Sequence, residues 1–538
     1  MRPISVLAQV AALVTTVFAA VPPAAGDVVT DWNEQVLDSV RAERTNPPRA
    51  TRFLAMTHTA VFDAVNGIAQ VYEPYLVPPA APAGASMEAA AATAAHRVLV
   101  AAYPSRKEIF DAALAESLAE IPDGQAKTDG EAWGTTCADA ILAARSDDGS
   151  DEVRAAAVPE GSNWWIPTPP AFATALLPNW PYVTPWAMHR GDQFRAPAPP
   201  PSSSPEYTRA FREVRRLGDV DSTFRTADQT EIAEFWNDGA GTNTPPGHWL
   251  EIAEELADQQ DNSLLENARL FALLGVTVAD AAIVAWDTKY YYNHWRPYTG
   301  IVQADIDGNP ETQQDTTWFN LITTPPFPSY TSGHSTFSGA SSRLLALFFG
   351  RDDIAFLATS DGLPGVIRSF SSLSQAGEEA GQSRIYGGIH WQYDNQEGLK
   401  AGRGLAEYVF HNFLRPKDLA PAACVADADT LCLQGGRFSA EARWKTADGA
   451  SGAATAVVLG DDSGYFWFFN PENPEMTVKV LDACNTFDRY WVFSSGLTNV
   501  EVTLTVADTA SGEVQQYFNP AGMKFESVQD TDAFATCP

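Results

Sequence analysis

Near residue 416 one periodicity gives way to another, and that switch limits the folds open to this chain. Upstream, apolar residues recur at the spacing of amphipathic helices. The pattern covers residues 31–42, 48–68, 87–103, 105–121 and 126–145, then 206–217, 226–236, 264–293, 335–349 and 375–385, and a last stretch at 391–413. Downstream, apolar and aromatic residues alternate in short runs at 437–444, 454–459, 465–469, 476–481, 490–493 and 500–506, separated by Gly, Asn and Asp turns. The fold class that follows is mainly α, a helical bundle over 27–416 followed by a small all-β sandwich over 417–538. Pro245-Pro246 reads as a break between helices. Residues 159–205, rich in Pro, Trp and Ser, read as an irregular excursion over the helical surface.

Residues 1–26 have the character of a secretory signal: Arg2, an apolar run from Val6 to Ala20, then Ala24-Ala25-Gly26. No other membrane-spanning segment is expected, and the mature chain is expected to be exported, extracellular or periplasmic. Five cysteines fit that compartment. Cys424, Cys432, Cys484 and Cys537 can form two disulfides in any of three pairings, whereas Cys137 reads as a buried thiol. A formal net charge of −32 argues against nucleic acid or an anionic membrane as partner. Against that acidity, clustered cations stand out.

Three stretches carry the chemistry. The first runs from Lys289 to Arg296-Pro297; its seven-residue spacing places both cations on one helix face. The second, Ser332-Gly333-His334, ends the proline-stiffened segment PPFPSYT and opens a helix. Its hydroxyl, bare amides and helix N-terminus suit an oxyanion. The third is Ser383-Arg384 followed by Gly387-Gly388 and His390, a turn that folds His390 back near Arg384. Three cations, a hydroxyl, a helix N-terminus and two histidines can neutralise a tetrahedral oxyanion, leaving one imidazole to bond its central atom and one to move protons.

The ordered set K-x6-R-P, S-G-H and S-R-x5-H resembles the signature shared by vanadium-dependent haloperoxidases and type 2 phosphatidic acid phosphatases, over about residues 27–414. The resemblance is closest to the chloroperoxidase-like branch. It implies a helical-bundle catalytic domain with vanadate as cofactor. Lys289, Arg296 and Arg384 would clamp the oxyanion, Ser332 and the Gly333 amide would add hydrogen bonds, His390 would bond vanadium and His334 would be the acid–base group. Trp286 and Phe327 fall where that branch has the apolar wall of its halide pocket. Asp238 resembles the acidic partner of the second clamp arginine, here Arg384. Thr331 departs from the branch, which usually has proline there.

The function implied is a secreted haloperoxidase that oxidises halide with hydrogen peroxide and halogenates a small organic acceptor. The alternative is an acid phosphatase acting on phosphomonoesters through a phosphohistidine at His390, since phosphate and vanadate are near-isosteres. Asp394, one helical turn beyond His390, either orients that histidine or caps the helix. His294 is a further polar candidate within the first stretch. His58, His96, His189, His248 and His411 match no part of the signature and take structural readings. Residues 464–471, GYFWFFNP, resemble part of an accessory domain found at the ends of secreted bacterial proteins.

Overall fold

The helix Leu264–Tyr292 is the spine of the molecule. Ser263 and Glu266 start it with a reciprocal capping box, and 29 residues follow without a polar face. Its most apolar 18-residue stretch has a mean hydropathy of 1.8, that of a membrane span, the one such helix among the described residues. Burial of 94% of that stretch inside the protein accounts for its composition instead: a helix apolar all round is one surrounded by other helices. The computed structural model describes residues 27–156, 163–417, 424–487 and 489–537. The expected secretory signal at 1–26 lies outside them.

Against the spine pack Val28–Ala42, Pro47–Ala69, Thr244–Gln259, Gly333–Phe348 and Gln392–Asn412, and outside these lie Met87–Ala102, Lys107–Ala119, Gln125–Ala144 and Leu373–Tyr386. Most of the expected helices are present. Pro245-Pro246, expected as a break, instead occupies the first turn of Thr244–Gln259, where a proline has no backbone hydrogen bond to lose. A second correction concerns Lys289 and Arg296. The helix stops at Tyr292, with Asn293 left-handed at φ 47°, and Arg296 belongs to the extended residue that caps Pro297–Val302. The two cations therefore converge through a turn, not along one helix face.

Gly333–Phe348 and Gln392–Asn412 lie in unusually close contact. A Cβ on Gly339 would sit 2.3 Å from the Leu399 carbonyl oxygen, and one on Gly402 would sit 2.2 Å from that of Thr336. Only glycine fits at either point, and the resulting approach brings together the helix starts that carry His334 and Asp394.

Beyond the linker the chain forms two five-stranded antiparallel sheets. One runs Val514–Asn519, Glu501–Asp508, Phe438–Lys445, Thr430–Leu433, with Ser451–Ala453 paired to Phe438–Lys445. The other runs Val528–Phe534, Tyr490–Gly496, Met476–Asp482, Ser463–Trp467, Thr455–Gly460. Leu504 and Val506 of the first share a core with Phe466, Val478 and Val492 of the second. Disulfides join Cys424 to Cys432 and Cys484 to Cys537, and Cys137 is a buried free thiol. Asn412 meets this region through its side chain, donating to the Val514 carbonyl (3.4 Å) and accepting from the Val514 amide (3.1 Å).

Candidate active site

Ser332 caps the helix Gly333–Phe348, its hydroxyl accepting from the Ser335 amide (3.3 Å). The helix opens at Gly333, two residues before the expected start, which puts the Gly333 amide in the unpaired first turn. The Ser332 amide donates to the Asp394 carbonyl (3.0 Å), tying this helix start to the next.

Arg296 is fully buried. Its Nε donates to the Phe327 carbonyl (2.9 Å), and its Nη1 donates to the Ile389 carbonyl (2.8 Å) and to His390 Nε2 (2.9 Å). Arg384, equally buried, donates from Nη1 to the Trp236 carbonyl (2.8 Å). Lys289 donates to the carbonyls of Pro328 (3.0 Å), Ser329 (2.9 Å) and Thr331. Its ammonium therefore fastens the proline loop with all three donors, and an oxyanion would have to displace one of those carbonyls. Among the described residues none of the three cations forms an ion pair. Burial is the main cause that lowers each: Arg296 to about 9, Arg384 to about 10, and Lys289 well below its ordinary value, with Arg296 adding repulsion.

The two carboxylates nearby each hold a histidine. Asp394 accepts from His390 Nδ1 (2.8 Å), from the Trp391 amide (3.1 Å) and from the Ser329 hydroxyl. It thus both orients the histidine and caps the helix Gln392–Asn412. Burial pushes its carboxyl up to about 7, against the pull of these donors and of Lys289 and Arg296. Asp238, expected beside Arg384, is instead engaged by His248 Nδ1 (3.2 Å) and makes no ion pair with the arginine. Its charge still reaches Arg384 through space.

Burial, then the three cations, hold His390 well below the ordinary histidine range. Nδ1 is committed to Asp394, and the Nε2 lone pair, which accepts from Arg296 Nη1, is the one that can bond an electrophilic centre once that donor turns away. His334 is only partly buried, and its Nε2 donates to the Asn237 carbonyl (3.3 Å). Burial followed by Arg384 depresses it too, so its Nδ1 is a proton acceptor at neutral pH.

Trp286 and Phe327 meet with ring centroids 4.9 Å apart. Lys289 and Arg296 lie 5.0 Å and 4.9 Å from the Phe327 centroid, so the expected wall abuts the cations directly. The Leu176 carbonyl accepts from Trp286 Nε1 (3.1 Å) and from the Tyr290 hydroxyl (2.6 Å), which turns the carbon edges of the indole, not its N–H, to the pocket. His294 is turned away and paired with the Tyr393 hydroxyl (2.8 Å).

Sequence reasoning missed Ser329, Leu176, Trp236 and Asn237. All but Ser329 act through backbone carbonyls, which have no residue signature. Ser329 lay in the proline stretch, five residues before His334, with nothing to separate it from loop filler.

The donor set fits a tetrahedral oxyanion. Arg296 Nη2 and Arg384 Nε are buried without a partner, an arrangement costly unless an acceptor meets them. Residues 269–417 match the VCPO second helical-bundle domain. The vanadium chloroperoxidase of Curvularia inaequalis is 30% identical over 249 residues, covering 35% of this chain; the chain spans 40% of that relative's length. A solved bacterial vanadium-dependent iodoperoxidase superposes with a TM-score of 0.64 at 28% identity, over 73% of this chain and 97% of that one. A holo-type bacterial vanadium-dependent chloroperoxidase superposes at 0.53 and 16% identity, over 68% and 92%, a likeness of fold. Over its helical region the chain is thus similar to vanadium-dependent haloperoxidases, in sequence over residues 269–417 and in fold more widely.

Proposed function

We propose that the chain oxidises halide with hydrogen peroxide, using vanadate, and passes the oxidised halogen to a small organic acceptor. The observation that carries this reading is the pairing of buried, unneutralised cations with an aromatic wall. Cations alone would serve a phosphatase equally well. A wall of Trp286 and Phe327 carbon edges against those cations suits a partly desolvated halide and offers a bulky phosphomonoester no hydrogen bond.

Arg296 and Arg384 would hold the oxyanion through their unpartnered N–H groups, with the Ser332 hydroxyl and the Gly333 amide as further donors. Lys289 would add its charge from within the loop. His390 Nε2 would bond the vanadium, its ring fixed by Asp394. Vanadate supplies, when bound, a Lewis acid that activates hydrogen peroxide for two-electron transfer of oxygen to halide. His334 would accept the proton of incoming peroxide at Nδ1, then return it as the oxidised halogen leaves. The described disulfides support an exported protein. The region after residue 417, its two sheets read as a sandwich, is proposed as an accessory domain separate from the chemistry at 27–416.

The test is to strip the protein of bound anion, load it with vanadate, and measure bromide oxidation by hydrogen peroxide, with phosphomonoester hydrolysis by the vanadate-free protein alongside. His334→Ala is expected to lower halide oxidation by about 10²–10⁴-fold while leaving vanadate affinity near that of the unaltered chain. His390→Ala is expected to lose vanadate itself. Equal loss of affinity in both variants would sink this division of roles, and phosphatase activity without halide oxidation would sink the reading as a whole.

A further inference from the structure

One buried hydrogen bond beside the site belongs to neither the oxyanion cradle nor the halide wall. His294 Nε2 lies 2.8 Å from the Tyr393 hydroxyl, and both side chains are buried. The hydroxyl has no other partner among the described residues, so its proton points at the imidazole and Nε2 is the acceptor. Burial lowers the His294 ring to about 3, which leaves that lone pair free, and holds the Tyr393 phenol well above its ordinary value. Neighbouring tyrosines are satisfied differently. Tyr330 donates to the Pro197 carbonyl (2.6 Å), Tyr292 to the Ala196 carbonyl (3.1 Å) and Tyr290 to the Leu176 carbonyl (2.6 Å), acceptors that cannot take a proton away. Of these tyrosines only Tyr393 is bonded to a base.

The Tyr393 ring also joins the site to the surface. It precedes Asp394 and stacks with Trp391, the residue after His390, at 6.2 Å between centroids and 14° between planes. On its other side follow Tyr330 at 6.2 Å, Tyr292 a further 5.7 Å on and Tyr291 a further 4.9 Å on. Tyr291 is 62% exposed. Rings in such contact pass electrons between them. A buried phenol gives one up only if its proton leaves as well, because an unpaired cation in an apolar interior is costly. Within this row, His294 meets that requirement at Tyr393 alone.

We propose that Tyr393 and His294 form an oxidisable pair that takes up single oxidising equivalents escaping from the peroxide site, sparing His390 and the halide wall. This guarding role rests on the reading of the site as one that handles peroxide. The oxidant is a one-electron species of the hydroxyl-radical class. It takes an electron from Tyr393 and leaves as hydroxide, while the phenol proton crosses to His294 Nε2; a neutral tyrosyl radical and an imidazolium remain. An electron from an external one-electron reductant then enters at Tyr291 and crosses by way of Tyr292 and Tyr330, and His294 returns the proton. Both side chains are restored, with one radical reduced to hydroxide and one reductant oxidised.

The experiment generates hydroxyl radicals by radiolysis in the vanadate-free full chain, freezes it and records electron paramagnetic resonance. Tyr393→Phe, His294→Gln and Tyr330→Phe are treated alike, with circular dichroism melts to verify folding. The wild type is expected to give a hydrogen-bonded tyrosyl radical. Tyr393→Phe is expected to lose it, and so is His294→Gln, which keeps a hydrogen-bond partner but no base. Tyr330→Phe is expected to keep it. No tyrosyl radical in the wild type, or an undiminished one in Tyr393→Phe or His294→Gln, overturns the proposal. So does its loss in Tyr330→Phe, which would put the radical on a ring bonded only to a carbonyl. Should Tyr393→Phe not fold, His294→Gln and Tyr330→Phe decide. In the vanadate-loaded chain, Tyr393→Phe is expected to lose halide turnover after fewer cycles than the wild type, and equal lifetimes overturn the guarding role. Because the radical is made without vanadate, a chain that forms it yet oxidises no halide refutes the proposed function while upholding the pair.

Discussion

Arg384 in the helical region is fully buried and Arg437 in the sheets partly so, and their surroundings are opposite in kind. Arg437 donates to both carboxylate oxygens of Asp508 (3.0–3.3 Å) and to the Tyr490 hydroxyl (2.9 Å). Burial alone would lower it, yet Asp508 outweighs burial and raises it. Arg384 donates to one carbonyl, keeps an unpartnered Nε, and is lowered by burial that no ion pair repays. The sheet region completes its charges within the fold. The helical region leaves a positive excess incomplete, and that incompleteness is what an anion can satisfy.

If that contrast is right, replacing the two arginines separates binding from stability. Arg384→Met removes the unpartnered Nε donor, a charge-assisted hydrogen bond worth about 1.5–3 kcal/mol. Vanadate affinity is therefore expected to fall by about 10–10²-fold. The melting temperature should hardly move, since loss of a buried unpaired charge offsets the donor lost to the Trp236 carbonyl. Calorimetric titration and a thermal melt check the two halves together. A large fall in melting temperature with affinity intact would make Arg384 a structural residue and erase the contrast.

Asp508→Ala is the converse. It leaves the partly exposed Arg437 without its partner and is expected to cost the sheet region about 1–3 kcal/mol, less than for a fully buried pair, with halide turnover at low temperature unchanged. Burial raises the Asp508 carboxyl, but Arg437 and the Thr536 hydroxyl more than offset this and hold it low. A carboxylate held low stabilises fully above its unfolded value of about 4, and the stabilisation is lost as pH falls through its folded value. The sheets of the unaltered chain should accordingly lose stability on acidification in a way that the alanine variant does not share. Near-ultraviolet melts against pH measure this; parallel curves for the two chains would refute it.

The same contrast explains what could be read from the sequence. Helices announced themselves because each buries an apolar face, and the three cationic stretches did so because their residues act through side chains. The strands that were not anticipated, Thr430–Leu433, Ser451–Ala453, Val514–Asn519 and Val528–Phe534, lie at sheet margins, where one face of alternation is missing or the run is short. Pro245-Pro246 misled because a proline pair ends a helix or begins one with equal ease. Position along the chain also named Lys289 and Arg296 together for a wrong reason: the helix that should have aligned them ends at Tyr292. Asp238 was expected as the partner of Arg384, and its engagement with His248 instead depends on a turn whose geometry no spacing encodes.

The smallest effect tests where the two regions are most alike. Arg437 lies 4.5 Å from the Tyr490 ring centroid, and Lys289 and Arg296 lie about as far from Phe327. Ring and cation form a closed structural unit in the sheets. Beside the site the same contact has a free side, with Trp286 completing a wall whose indole N–H is already spent on Leu176. Such a wall lowers the hydration of a halide without bonding it, and chloride, the more strongly hydrated and harder to oxidise, gains most from that. Trp286→Ala admits water and frees the Leu176 carbonyl. It is expected to cut chloride turnover several-fold more than bromide turnover, a difference of about 1 kcal/mol in activation, where tenfold corresponds to 1.4. Vanadate affinity should stay within about threefold, since no donor to the oxyanion is touched. The ratio of chloride to bromide turnover in the loaded enzyme, with vanadate affinity measured alongside, decides the matter. An unchanged ratio with reduced vanadate affinity would show that the wall, like the rings around Arg437, serves only to hold the cations in place.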